Sequence, residues 1–338
     1  MIKVDIFSGF LGAGKTTLIK KLVEEAYKGE KIVLIENEFG EIGIDGGFLK
    51  DSGIQINEMN SGCICCSLVG DFGRALTQVT EQFSPDRILI EPSGVGKLSD
   101  IIEAVRNLHI DGVQLNGFTT VVDAKKAKIY MKNFGEFFNN QIEHASSIIL
   151  SHTAGMTREK LDQTVELIRE HNPNAVLITT QWDKLSGRQI LDAMERKDTI
   201  EEALRHLQAE RREHDHDHDH CGCGHDHHDH DHHHDHDHDH DHHHHHADEI
   251  FDSIGVETAR RFTAEAIHNA LEALDSEEKY GMVLRAKGIV EGEDGQWIHF
   301  DYVPGEPDVR TGAAEVTGRL CVIGHEIKED KIRELFGI

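Results

Sequence analysis

Gly9-Phe10-Leu11-Gly12-Ala13-Gly14-Lys15-Thr16-Thr17 has the G-x-x-x-x-G-K-[ST] spacing of a phosphate-binding loop. The glycines Gly9, Gly12 and Gly14 let the backbone curl. Successive N–H groups from Ala13 to Thr17 can then point at a β-phosphate. Lys15 supplies charge to the β and γ oxygens and Thr16 offers its hydroxyl to Mg²⁺. The loop follows an apolar run at residues 2–7, and Leu18, Ile19, Leu22 and Val23 after it have helical spacing, so the phosphates would meet a helix N-terminus.

A second acidic position fits the same chemistry. Arg87-Ile88-Leu89-Ile90-Glu91-Pro92-Ser93-Gly94 reads as an apolar strand that ends in an acid, with a glycine three residues later. Glu91 would hold Mg²⁺ through water, and the Gly94 N–H would sense the γ-phosphate. Glu36, Glu38, Glu41 and Asp45 follow the second apolar run. Such a cluster is either a solvated acidic loop or a first switch whose hard oxygens reach a metal. Cys63, Cys65 and Cys66, introduced by Gly62, put three thiols within four residues, enough to bring two or three sulfurs to one zinc-like ion.

Residues 214–246 hold 19 histidines and ten aspartates around Cys221-Gly222-Cys223. Neutral imidazoles bind Zn²⁺, Ni²⁺, Co²⁺ or Cu²⁺, and the spacing fixes no single geometry. The composition cannot build a core, so the segment is expected to be disordered without metal. It reads as an antenna that raises the local metal concentration, or else as a polar linker. Protonation below about pH 6 should release its metal.

These residues need elements to hold them. Apolar runs at residues 2–7, 31–35, 54–56, 87–90, 117–122, 147–150 and 175–179 alternate with amphipathic stretches, which predicts α/β architecture with a doubly wound, largely parallel sheet. A nucleotide-binding domain is expected over residues 1–185, a helical connector over 186–212 and the His/Asp-rich insert over 213–248. A smaller α+β domain is expected over 249–338, with strands at 253–262, 282–290, 296–303 and 319–324. Net charge is −27, and ten of the 62 acidic residues lie in the insert, so the remainder is acidic too. That argues against nucleic-acid and anionic-membrane partners. No apolar run reaches about 18 residues and the chain enters a strand at once, which predicts a cytoplasmic protein without span or signal peptide.

Residues 9–17, 36–41, 62–66 and 91–94 together resemble the CobW-like family of phosphate-loop GTPases, relatives of the nickel GTPases that mature urease and hydrogenase. Leu284-Arg285-Ala286-Lys287-Gly288 resembles a signature of that family's C-terminal domain, and a His-rich insert before it is common there. The resemblance implies metal-regulated GTP hydrolysis coupled to insertion of zinc, cobalt or nickel into a client protein. It assigns Glu36, Glu41 and Cys65 as internal metal ligands, with Cys63 and Cys66 as alternative thiols, and Lys15, Thr16 and Glu91 as the phosphate and magnesium residues of catalysis. A nucleotide-gated metal store without a dedicated client is the second reading.

One motif departs from the family. Guanine is usually read by Asn-Lys-x-Asp, whereas this chain has Ser151-His152-Thr153-Ala154. With alanine at the acid position, guanine preference should weaken by about 1.5–3 kcal/mol. Asp183 is a substitute acid from another loop, and ATP use stays open beside GTP. No catalytic glutamine or arginine finger is assignable in either switch. The intrinsic rate is therefore expected to be slow, with metal, a homodimer or a client supplying the missing positioning.

Overall fold

The computed structural model describes residues 1–37, 55–59, 68–196, 199–201, 203–205, 250–314 and 317–338. Seven strands pair in parallel in the order β3-β2-β4-β1-β5-β6-β7. They are β1 (Ile2–Gly9), β2 (Ile32–Asn37), β3 (Gln55–Met59), β4 (Arg87–Glu91), β5 (Val113–Asp123), β6 (Ser147–Ser151) and β7 (Val176–Ile178). Among the described residues, this sheet is flanked by α1 (Lys15–Glu25), α2 (Leu68–Phe83), α3 (Leu98–Asn107), α4 (Ala127–Glu143), α5 (Arg158–His171) and α6 (Gly187–Met194).

Near-continuous apolar strands mark a sheet covered on both faces, and the period-2 alternation of strand side chains sorts each residue to one layer. Val4, Ile6, Val33, Ile35, Ile88, Ile90, Ile148 and Leu150 join the core beneath α2, α3, α4 and α5. Phe7, Ile32, Leu34, Leu89 and Ile149 join Leu18, Ile19 and Leu22 of α1 and Ile190, Leu191 and Met194 of α6 on the opposite face. The first helix of the stretch expected as a connector is therefore built into the core of the nucleotide-binding domain.

The C-terminal domain is a five-stranded antiparallel sheet of order β11-β10-β9-β12-β8. Its strands are β8 (Asp252–Thr258), β9 (Met282–Glu291), β10 (Trp297–Val303), β11 (Glu306–Gly312) and β12 (Gly318–His325). Two corrections to the sequence reading follow. The strand expected over 253–262 ends at Thr258, with Phe262 left in an isolated bridge to Gly292. An unexpected strand, β11, occupies the edge.

One face of this sheet packs Leu320, Val322, Ala286 and Val290 against helices Ala264–Ala273 and Glu329–Phe336. The other face turns toward the nucleotide-binding domain, where Leu284, Ile289, Cys321 and Ile323 enter the core that holds α4. Phe10, inside the glycine loop, is the hub of this junction. Its ring lies 4.7 Å from Tyr130, 5.4 Å from Phe134 and 6.0 Å from Phe251, centroid to centroid. Offset and edge-on aromatic pairs at such distances are attractive beyond their burial, so the loop and the C-terminal domain are tied through one side chain. No helix among the described residues is long and apolar enough to cross a membrane.

Candidate functional site

The glycine loop leaves β1 at the carboxyl end of the sheet and enters α1, whose N-cap Gly14 is left-handed (φ 97°) and carries no side-chain cap. The helix's first N–H groups are thus presented to a ligand rather than to a capping side chain. Lys15 is buried and its ammonium donates to the carbonyl oxygens of Gly9 (3.0 Å) and Phe10 (3.4 Å), which holds it back across the loop. The Thr16 hydroxyl donates to both Glu91 carboxylate oxygens, at 3.1 and 3.3 Å. Two hard oxygen donors side by side suit Mg²⁺.

Gly94 lies so close to the loop that a β-carbon there would fall 2.8 Å from the Leu11 backbone nitrogen. The buried Gln141 amide fixes this turn by donating to the carbonyl oxygens of Gly94 (3.1 Å) and Gly96 (2.8 Å). Gln141 was not foreseen, because nothing in its own helix marks it. Ala13 and Thr17 fall in the same loop and helix start as the motif requires.

Glu36 sits at the end of β2, buried and in register with Glu91 on β4. Adjacent strands lie about 4.8 Å apart, so the candidate metal ligand and the candidate magnesium ligand are cross-strand neighbours. Glu41, Cys63, Cys65 and Cys66, and the His/Asp-rich insert, lie outside the described residues. Among the described residues no cluster of three or more metal-ligating side chains occurs.

Two cavities flank the loop. The first, about 590 Å³, is lined by Lys15, Thr16, Lys20 and Glu91 on one side and by Arg285, Asp301, Asp308 and Arg310 of the C-terminal sheet on the other. At its floor, a β-carbon on Gly12 would meet Val303 Cγ1 at 2.1 Å, so only glycine admits the sheet this close to the loop. Lys287 is buried on the same face of that sheet. Burial pushes its ammonium down to about 8 against the opposing pull of Asp301, Cys321 and Glu36, while Lys15 adds to the lowering. The two domains thus share one electrostatic field.

The second cavity, about 360 Å³, lies on the other side of Gly14 and is lined by Ser151, His152, Thr153, Ala154, Gln181, Trp182 and Asp183. Its place beyond α1 and the sheet's carboxyl end is that of a base pocket in an open α/β fold. The Trp182 indole donates to the Leu150 carbonyl oxygen (2.9 Å) and its ring edge would lie 3.3 Å from a β-carbon on Gly14. The Ser151 hydroxyl turns away to the Val122 carbonyl oxygen at 3.3 Å. His152, in a left-handed conformation (φ 54°), lines both cavities and stands 3.6 Å from Glu306. Asp183, on a separate loop, is brought to the same pocket as Ala154, and it is exposed. Trp182 could have been suspected from its place just after β7; Arg285 stood within the 284–288 signature but with no sign of its place at this cavity, and Arg310 carried no local signal.

A family model described as CobW/HypB/UreG, nucleotide-binding domain, matches residues 3–179, and the cobalamin synthesis protein cobW C-terminal domain matches residues 251–337. Zinc chaperone YeiR of Escherichia coli (strain K12) is 31% identical over 189 residues, which cover 55% of this chain and 57% of that protein. Zinc chaperone CobW of Sinorhizobium sp is 41% identical over 131 residues, covering 36% and 37% respectively. The chain therefore spans roughly half or less of the length of these relatives. The crystal structure of Zn(II)-bound YjiA GTPase from E. coli aligns over 99% of this chain and 98% of that one, at 22% identity and a TM-score of 0.41. With a phosphate loop, an acid-tipped neighbouring strand and a family match across more than half of its residues, the chain belongs to the CobW/HypB/UreG family, joined to a CobW C-terminal domain.

Proposed function

We propose that this protein hydrolyses GTP and uses the nucleotide cycle to take up zinc and deliver it to client proteins. The observation that carries the reading is the register of Glu36 beside Glu91. A zinc site that includes Glu36, Glu41 and Cys65, with Cys63 or Cys66 as further thiols, would share a strand end with the magnesium site. Whatever orders one would then strain or relax the other. The names of the relatives, zinc chaperones, support zinc as the cargo. The same soft and hard donors would also accept cobalt or nickel.

Thr16 and Glu91 would hold Mg²⁺, directly or through water, and the ion there offsets charge on the β and γ oxygens. Lys15 and the N–H groups of the loop bind and orient the phosphates. Hydrolysis then needs a positioned in-line water: its oxygen bonds the γ-phosphorus, the bond to the β–γ bridging oxygen breaks with its electron pair left on GDP, and the water's two protons pass to the departing phosphate and to solvent. The Gly94 turn, held by Gln141, follows loss of the γ-phosphate. The base enters beside Trp182, where Asp183 takes the role that Ala154 cannot.

Steady-state turnover of GTP and ATP by the full chain, with and without zinc, tests this. GTP should be preferred and its turnover should respond to zinc. Glu36→Ala should lose the zinc response while KM for GTP stays within about twofold. Turnover indifferent to zinc in the parent protein would contradict the reading.

A further inference from the structure

The C-terminal sheet does more than border the phosphate cavity. Alternation along β9, β10 and β11 places Arg285 and Lys287, then Asp301 and Val303, then Asp308 and Arg310 on one face, since Asp301 pairs with both Lys287 and Asp308. That face is pressed onto the glycine loop at Val303. Arg285 and Arg310 line the cavity that contains Lys15, Thr16 and Glu91, not the base cavity. They therefore face the end of the site where the phosphates of a bound nucleotide would lie. The described part of the nucleotide-binding domain contributes no arginine to that cavity.

We infer that the C-terminal sheet reads the terminal phosphate of the bound nucleotide through Arg285 and Arg310. The inference rests on the nucleotide site proposed above. Both guanidinium groups are at present held on their own sheet, Arg285 by Asp301 at 3.1 Å and Arg310 by Asp308. Lys15, Lys20 and the two arginines are matched by Glu91, Asp301, Glu306 and Asp308, so the formal charges lining the cavity balance. A nucleoside triphosphate brings net negative charge into that balance. A guanidinium fork fits phosphate oxygens bidentately, so the arginines exchange a carboxylate partner for the terminal phosphate when it arrives. They return when it leaves. The freed Asp301 and Asp308 carry the change into β10 and β11, and the C-terminal domain differs between the two nucleotide states. This supplies in cis the arginine that neither switch contains.

The test is calorimetric affinity of the full chain with Mg²⁺ for GTPγS and for GDP, in the parent and in Arg285→Ala, Arg310→Ala and Arg310→Lys. Arg310 is on an edge strand and partly exposed, so its variants keep the fold, which circular dichroism checks. Each alanine variant should weaken GTPγS by about tenfold or more and leave GDP within about twofold, with Arg310→Lys intermediate. Equal losses for both nucleotides, or no loss for either, would overturn the inference. A parent that binds neither nucleotide would instead remove the nucleotide-site reading, and this inference with it.

Discussion

Toward the amino end of the parallel sheet, the buried Arg87 guanidinium is shared among Asp5, Glu30 (2.6 Å) and Glu195 (2.9 Å), while at the carboxyl end Lys15, Thr16 and Glu91 line an open cavity. The first group is closed on itself. Asn116 donates to Asp5 (2.8 Å) and Glu195 (3.0 Å), Lys3 reaches Glu195 (3.0 Å), and the Arg87 guanidinium carbon lies 4.4 Å from the centroid of the Tyr27 ring. Burial works against the Arg87 charge, yet the bonds to Glu30 and the field of Asp5 raise its pKa above the usual value. Glu195 is also partly desolvated, but Lys3, Arg87 and Asn116 pull it down to about 2. The lesson is one of access: charges that hold β1, β4 and α6 together are packed among one another, whereas the charges at the site, though paired, border a cavity of about 590 Å³. The first arrangement makes stability and the second makes binding.

The contrast can be broken most forcefully at Arg87. Arg87→Met would leave the Asp5, Glu30 and Glu195 carboxylates together with only Lys3, at Glu195, to offset them. Breaking one side of a buried pair costs about 3–5 kcal/mol. Urea denaturation should show that loss, and the variant should gain stability as pH falls from 7 to 5, because its clustered acids then bind protons more tightly folded than unfolded. A loss under about 1 kcal/mol would mean the network is ornamental.

Lys15→Met tests the other end. It should weaken GTP by roughly ten- to a hundredfold, the worth of a charge-assisted bond, while urea stability without ligand holds or rises because a buried charge is gone. Equal damage to binding and to stability would erase the distinction between the two ends.

The smallest effect is the acid limb. Glu195 has its carboxyl pulled down from the ordinary 4.5 to about 2, so its contribution is complete above about pH 4.5 and is lost as pH falls toward 2. Melting temperatures between pH 6 and 3 should therefore fall more gently in Glu195→Gln than in the parent. Parallel curves would show that Glu195 takes no part.

Much of the nucleotide end was legible because its signals are contiguous: the loop, the helix after it, and an acid at the tip of β4 all fall within short windows. The Arg87 network was not, since its members sit on β1, β4 and the end of α6 and nothing local announces a buried cation. The same distance in sequence hid the charged face that Arg285 and Arg310 turn to the loop. Strand β11 escaped for a further reason. Its Glu306-Pro307-Asp308 start has poor strand propensity, and Pro307 is tolerated only because β11 is an edge. The departure at Ala154 was readable and Asp183 was readable as a substitute acid from another loop; the structure lines one pocket with both.

The central claim, that nucleotide state governs zinc held beside Glu36, is tested most directly by chelator competition for Zn²⁺. Protein lacking residues 214–246 would be measured with GTP·Mg²⁺, with GDP·Mg²⁺ and with no nucleotide. Removing the histidines leaves the internal site to be read alone. The account predicts at least about tenfold tighter zinc with GTP than with GDP, a coupling of about 1.4 kcal/mol. Equal affinity in the three conditions would contradict it.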